Sequence, residues 1–254
     1  MKKTFLILFF CSILFTAAYS EIFRITQINE KPTEIKTFEK DSGKYVWHSK
    51  NFDTVYQAKG HNYLMITEDG EGQYGNDKQY KTWHEETIYL YENETIVPQN
   101  SILEFRNKAG DIIASTQTTY DQGKGKIYCK LLNDKKEFDL KEGILDSNGL
   151  GLALMSYPFD RKTDFVFPML TDEPAFYSMT LENKGIEPVD VGGGKTIDCY
   201  KIQMIPDLGF LGIFAPFVPK TYFWYRAAPP HDFIRYEGLE SGLNTPYIVM
   251  QAQQ

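Results

Sequence analysis

Ten short runs rich in β-branched and aromatic residues recur along this chain, each closed by turn formers, and a single segment carries helical spacing. The runs are IFRITQI (22–28), HNYLMIT (61–67), ETIYLYE (86–92), SILEFRN (101–107), DIIASTQTTY (111–120), KIYCKLL (126–132), FYSMTLE (176–182), TIDCYKIQM (196–204), TYFWYR (221–226) and FIRYEG (233–238). Between them stand GEGQYGND, NKAGD, DQGKG, ENKG and VGGGK, whose Gly, Asn and Asp residues tolerate the backbone of tight turns. Connections that short join antiparallel neighbours, since a parallel pair needs a long crossover. The helical exception is DSNGLGLALMSYPF (146–159). Asp146 or Ser147 can cap it, Leu150, Leu154 and Met155 fall near one face, and Pro158 stops it. A lone helix among strands packs against a curved sheet or plugs it. The expected fold is mainly β: a single curved antiparallel sheet with one or two short helices.

The chain opens MKKTFLILFFCSILFTAAYS: two lysines, an apolar stretch, then small residues at Ala17, Ala18 and Ser20. This is the layout of a secretory signal peptide, with cleavage expected after Ser20. Cys11 lies inside the apolar run without the small residues that precede a lipidated cysteine. Later segments fall short of the roughly 20 apolar residues of a membrane span, so the mature chain is expected in the periplasm or secreted, with no transmembrane span. Removing Lys2 and Lys3 from 27 basic residues leaves 25 against 34 acidic ones, a net charge of −9 that disfavours nucleic acid as a partner. Nothing resembling a linker divides residues 21–254, which read as one domain. Cys129 and Cys199 survive processing, and either a bridge or two buried thiols fits an exported β protein.

Most motif-like stretches dissolve on inspection. Gly70-Glu71-Gly72-Gln73-Tyr74-Gly75 matches G-x-G-x-x-G, but Asp69, Glu71 and Asp77 crowd it with negative charge and no apolar helix follows, so it reads as a hairpin turn. Gly194-Lys195-Thr196 lacks the first glycine of a phosphate loop. His48, His61, His84 and His231 form none of the spacings of metal sites, and there is no G-x-S-x-G. Neither cofactor nor metal is implied, and no catalytic set is assigned.

Two features point to a ligand. Aromatic residues make up 15% of the chain, and Tyr and Trp in strands often line concave surfaces. The segment DLGFLGIFAPFVPK (207–220) is apolar yet broken by Gly and Pro, hence a loop that needs cover, with Phe210, Phe214 and Phe217 as its contacts. In TYFWYRAAPPHDFIRYEG (221–238) the paired prolines force a turn between two strands. Alternation puts Tyr222, Trp224 and Arg226 on one face and Phe223 and Tyr225 on the other; Phe233, Arg235 and Glu237 should share a face opposed to Ile234 and Tyr236. Tyr222, Trp224, Tyr225, Arg226 and Arg235 join the three phenylalanines as candidate ligand-binding residues.

The succession of VGGGKTIDCYKIQM, an apolar loop, an FWY strand and a Pro-bounded RYEG strand resembles the C-terminal half of the bacterial exported proteins grouped as domain-of-unknown-function family 3108. The likeness covers roughly residues 110–250 and includes the short helix. It implies a half-barrel like that of lipoprotein-sorting chaperones, a curved sheet with helices against its concave face, and supplies no catalytic residues. It also implies a concave apolar surface for a lipid-like or hydrophobic ligand. The long apolar loop and the scarcity of helices depart from that pattern. The resulting expectation is a non-enzymatic cell-envelope protein that binds a hydrophobic small molecule or an envelope protein. The alternatives are an interaction module with a fully packed core, and an envelope hydrolase using Glu237 and His231.

Overall fold

A computed structural model of the protein describes residues 23–28, 31–160, 164–207, 219–242 and 245–253. The expected signal peptide and Phe210, Phe214 and Phe217 lie outside these residues. The strands are β1 (Thr33–Glu39), β2 (Tyr45–Ala58), β3 (His61–Gln73), β4 (Tyr80–Glu92), β5 (Thr95–Arg106), β6 (Ile112–Asp121), β7 (Lys126–Leu131) and β8 (Lys135–Asp139). After α1 (Ser147–Met155) come β9 (Phe165–Leu170), β10 (Phe176–Gly192), β11 (Lys195–Pro206), β12 (Thr221–Arg226), β13 (Phe233–Leu239) and β14 (Tyr247–Ala252). All fourteen form one antiparallel sheet in the order β8-β7-β6-β5-β4-β3-β2-β1-β14-β13-β12-β11-β10-β9. The first and last eight-and-six-strand meanders are thus joined edge to edge by the β1–β14 pair.

The sheet is not closed into a barrel, but its ends come near one another. Leu145, just before α1, bridges to Met169 of β9, and the Lys136 ammonium of β8 donates to the Pro174 carbonyl at 3.0 Å. Pro168 is tolerated within β9 because this strand lies at the sheet's edge. Tyr120, Ile127, Cys129, Ile144 and Leu170 pack together across the gap between the ends.

The alternation in the sequence locates strands but underestimates them. β3 runs six residues past HNYLMIT, through Gly70 and Gly72; β1, β2 and β8 arise where polar residues dilute the apolar signal, whereas β9 (FVFPML) and β14 (YIVMQA) are short, nearly continuous apolar runs that lack alternation. Residues 23–28, in contrast, are not a strand. Phe23 and Ile25 are nevertheless buried in the main core, the Phe23 ring stacks on Phe165 at 3.7 Å, and Ile25 N–H donates to the Glu94 carbonyl at 2.6 Å. Their alternation reflects burial of every second residue without ladder pairing. Cys129 and Cys199 are both free and buried, on β7 and β11.

The helix is the plug. Asp146 caps it, accepting from Gly149 N–H at 2.8 Å, and its carboxylate also receives the hydroxyls of Tyr89 and, at 3.2 Å, Tyr120. Burial extends beyond the one face expected from Leu150, Leu154 and Met155, to Leu152 and Ala153. A short helix apolar all round has to be enclosed. Here it sits among Leu64, Ile66, Tyr89, Phe165, Leu181, Ile202 and Tyr225, each buried leucine contributing about 1.5–3 kcal/mol.

Candidate functional site

Beside the helix the interior is not filled. A cavity of about 440 Å³ lies between α1 and the inner face of the sheet, within the range of roughly 300–1,000 Å³ typical of small-molecule sites. One wall is apolar and aromatic: Phe223 and Tyr225 of β12, Phe233 and Tyr236 of β13, Met204 of β11 and Met179 of β10. The other comes from β2, β3 and β4 and is acidic.

That acidic wall follows from register. Asn51 of β2 faces Glu68 of β3, and Glu68 faces Glu85 of β4, so three polar side chains stand abreast on the inner face. Like charges directly opposed across strands oppose folding, which makes the pair costly. Asp172, in the turn after β9, completes the group, and Asp53 and Glu240 also line the cavity. No lysine, arginine or histidine does so among the described residues.

The local fold explains how these groups are held. A side chain at Gly70 would collide with the Trp83 ring; without one, the indole lies across β3 and its Nε1 donates to Glu68 at 2.9 Å. The first turn of α1 turns two donors outward, Ser147 Oγ to Asp172 at 2.6 Å and Asn148 Nδ2 to Glu85 at 2.8 Å. Glu240 accepts from the Trp47 indole at 2.6 Å and from Gly75 N–H at 2.7 Å.

Burial pushes the carboxyls of Glu68, Glu85 and Asp172 upward. For Glu85 the rise is large, because the charges of Asp172 and Glu68 add to burial. Asp146 and Glu240 are raised by burial too, against the pull of their hydrogen bonds. Chemically, this wall can bind protons or offer acceptors to a positively charged or hydrogen-bond-donating group.

The candidate residues divide between the two faces of the sheet. Tyr225 lines the cavity. Trp224 lies on the opposite face, packed in a separate cluster with Val189, Cys199 and Ile234 and bonded through Nε1 to Glu187 at 2.7 Å. Tyr222 joins that cluster, with the Lys201 ammonium 4.6 Å from its ring centre, and the Arg235 guanidinium stands 5.6 Å from the Trp224 ring. Arg235 pairs with Glu237 at 3.1 Å, and Arg226 with Asp232 at 3.2 Å. Alternation along β12 therefore holds, but a bulge between Trp224 and Tyr225 changes the pairing with β13. Phe233 and Tyr236 consequently both line the cavity, whereas alternation put Phe233 with Arg235.

Glu237 and His231 are not brought together. Glu237 is bound to Lys40 at 2.7 Å and to Arg235, while His231 Nδ1 donates to the Arg226 carbonyl at 2.9 Å and its ring packs 4.7 Å from Phe159. His48, His61 and His84 each pair with a carboxylate on exposed strand positions, and no cluster of three metal-ligating side chains occurs among the described residues. Pro206, just before the apolar segment 207–220, and Pro219, near its end, line the cavity.

Glu68 lies one residue past the run HNYLMIT, Glu85 one residue before ETIYLYE, and Asn51 on β2, where no such run stands in the sequence. The alternation of Leu64 and Ile66, continued by two residues, places Glu68 on the inner face.

A single antiparallel sheet folded round one helix, with an apolar cavity and one acidic wall, defines the class of protein. The chain belongs to the DUF3108 family of proteins of unknown function, whose profile matches residues 93–238. Two solved structures resemble it. One is a β-barrel-like protein of the domain of unknown function DUF1849 from Brucella abortus, with 8% identity, 89% of this chain and 96% of that chain covered, and a TM-score of 0.49. The other is a protein of YmcC-like fold from Bacteroides fragilis, with 9% identity, coverage of 92% and 98%, and a TM-score of 0.32. A comparison with curated proteins finds no match. No helix among the described residues is long and apolar enough to cross a membrane.

Proposed function

We propose that the protein is an exported, non-enzymatic binder of a lipid-like or otherwise hydrophobic ligand, held in the cavity beside α1. The observation that carries this reading is the cavity itself: about 440 Å³ of interior, bounded along one side by aromatic and methionine side chains. The cavity is partly open to solvent, and its aromatic and methionine wall offers an apolar ligand dispersion contacts and burial that water does not supply. Export rests on the leader-like residues 1–20, with cleavage after Ser20, and residues 21–254 are taken as one domain.

Native mass spectrometry of the protein purified from its own host tests this directly. The expected result is a stoichiometric added mass that is released on denaturation and identified as an apolar molecule. A bare protein mass, together with no rise in melting temperature on adding alkyl ligands, contradicts the proposal and leaves an interaction module with an internal void.

A further inference from the structure

Resting on that binding function, we infer that the cavity takes uncharged apolar molecules of differing shape rather than one fitted ligand, and that Met155, Met179 and Met204 are the side chains that repack around them. After the leader-like residues 1–20 the chain has six methionines, and five of them, Met155, Met169, Met179, Met204 and Met250, line this cavity. Leucine, isoleucine and valine are several times as numerous in the chain, yet together they supply only six lining residues. Methionine is thus concentrated at the cavity instead of being spread through the core.

Register gathers these side chains. Met179 of β10 stands opposite Phe167 of β9 and Pro206 of β11. Met169 lies two residues beyond Phe167, and Met204 two residues before Pro206, so each is diagonal to Met179 on the inner face, within reach of a long side chain. Met155 ends α1 and approaches from the helix; it and Met204 are only partly buried, packed against the main core. Met250 of β14 packs against the cluster that holds Trp47 and Trp83.

The chemistry of the side chain decides what such a lining accepts. An unbranched thioether with three rotatable bonds refills irregular space readily, whereas a β-branched side chain is held to few rotamers. Binders that accept several partners use flexible, methionine-rich surfaces in this way. Phe223, Phe233 and Tyr236 supply rigid rings, and the methionines supply the adjustment. A charged head finds no built partner: no lysine, arginine or histidine lines the cavity among the described residues, and burial draws Glu68, Glu85 and Asp172 toward the neutral acid. Those carboxyls already accept from Trp83, Asn148 and Ser147.

The test is calorimetric titration of the protein with three uncharged alcohols of different shape: dodecan-1-ol, which is linear, farnesol, which is branched, and 9-anthracenemethanol, which is flat and rigid. All three should bind at one site with affinities within about tenfold of one another. Met155→Leu combined with Met204→Ile keeps the lining apolar but stiffens it; at least one of the three should then lose about tenfold, and the spread should exceed tenfold. Met204→Leu, a milder change, should act in the same direction, and circular dichroism checks that each variant is folded. Native affinities spread beyond tenfold in favour of one alcohol overturn the breadth of the site. Equal losses for all three alcohols, or none, in the folded variants overturn the assignment to the methionines. Failure of all three to bind the native protein overturns the binding function itself.

Discussion

The two walls of the cavity are built by the same means and to opposite effect. On β12 and β13, inward positions carry Phe223, Tyr225, Phe233 and Tyr236, and their burial stabilises the fold. On β2, β3 and β4, inward positions carry Asn51, Glu68 and Glu85, and their burial opposes it. Packing alone does not account for the second wall, which costs stability where the first supplies it. The walls also differ in origin: the aromatic wall lies within the family-matched residues 93–238, whereas Asn51, Glu68 and Glu85 precede them.

The largest expected effect comes from the element that separates the walls. Asp146→Ala removes the helix cap and strips the Tyr89 and Tyr120 hydroxyls of their shared acceptor. It should destabilise the protein by about 3 kcal/mol, measured by chemical denaturation. A loss below about 1 kcal/mol would show that the helix is held by its apolar packing alone.

Next come changes to one wall at a time. Phe223→Ala should weaken every apolar ligand by about tenfold whatever its head group, because only chain contacts are lost. A loss that differs between head groups would place the chain elsewhere.

The acidic wall should reveal itself through pH. The folded-state pKa of Glu85 is raised, so its contribution to stability is complete below the ordinary glutamate value of 4.5 and is lost as pH rises through the folded value. Glu85→Gln, neutral throughout, should therefore gain stability relative to the native protein as pH increases, by about 1 kcal/mol or more at pH 8. Thermal melts across pH 4–8 measure that difference; a constant gap would mean that Glu85 titrates as if in water.

The smallest effect belongs to the outer face. Trp224→Phe loses one hydrogen bond to Glu187 and should cost about 1 kcal/mol, with ligand affinity unchanged.

The sequence made the architecture legible because period-two alternation and turn residues survive in isolated strands, and because Asp146 and Pro158 delimit the only helical spacing. Strands such as β2 stayed hidden, since Lys50 and Asp53 interrupt its apolar signal. The site was half legible. The β12 alternation is legible directly, but which face is concave is not, because alternation alone treats Trp224 and Tyr225 alike. Nor does sequence show that Glu68 stands opposite Glu85, because that contact is set by the register of two strands.

Three tryptophans offer the most direct test of the central claim, that an apolar ligand enters between the walls. Trp47 and Trp83 line the cavity, while Trp224 lies on the opposite face. Titration with 12-bromododecan-1-ol should quench fluorescence saturably at one ligand per protein, and the quenched fraction should rise in Trp224→Phe, which removes the emission that the bromine does not reach. A linear, unsaturable quench, or a quenched fraction that falls in Trp224→Phe, would put the ligand outside the cavity and contradict the account.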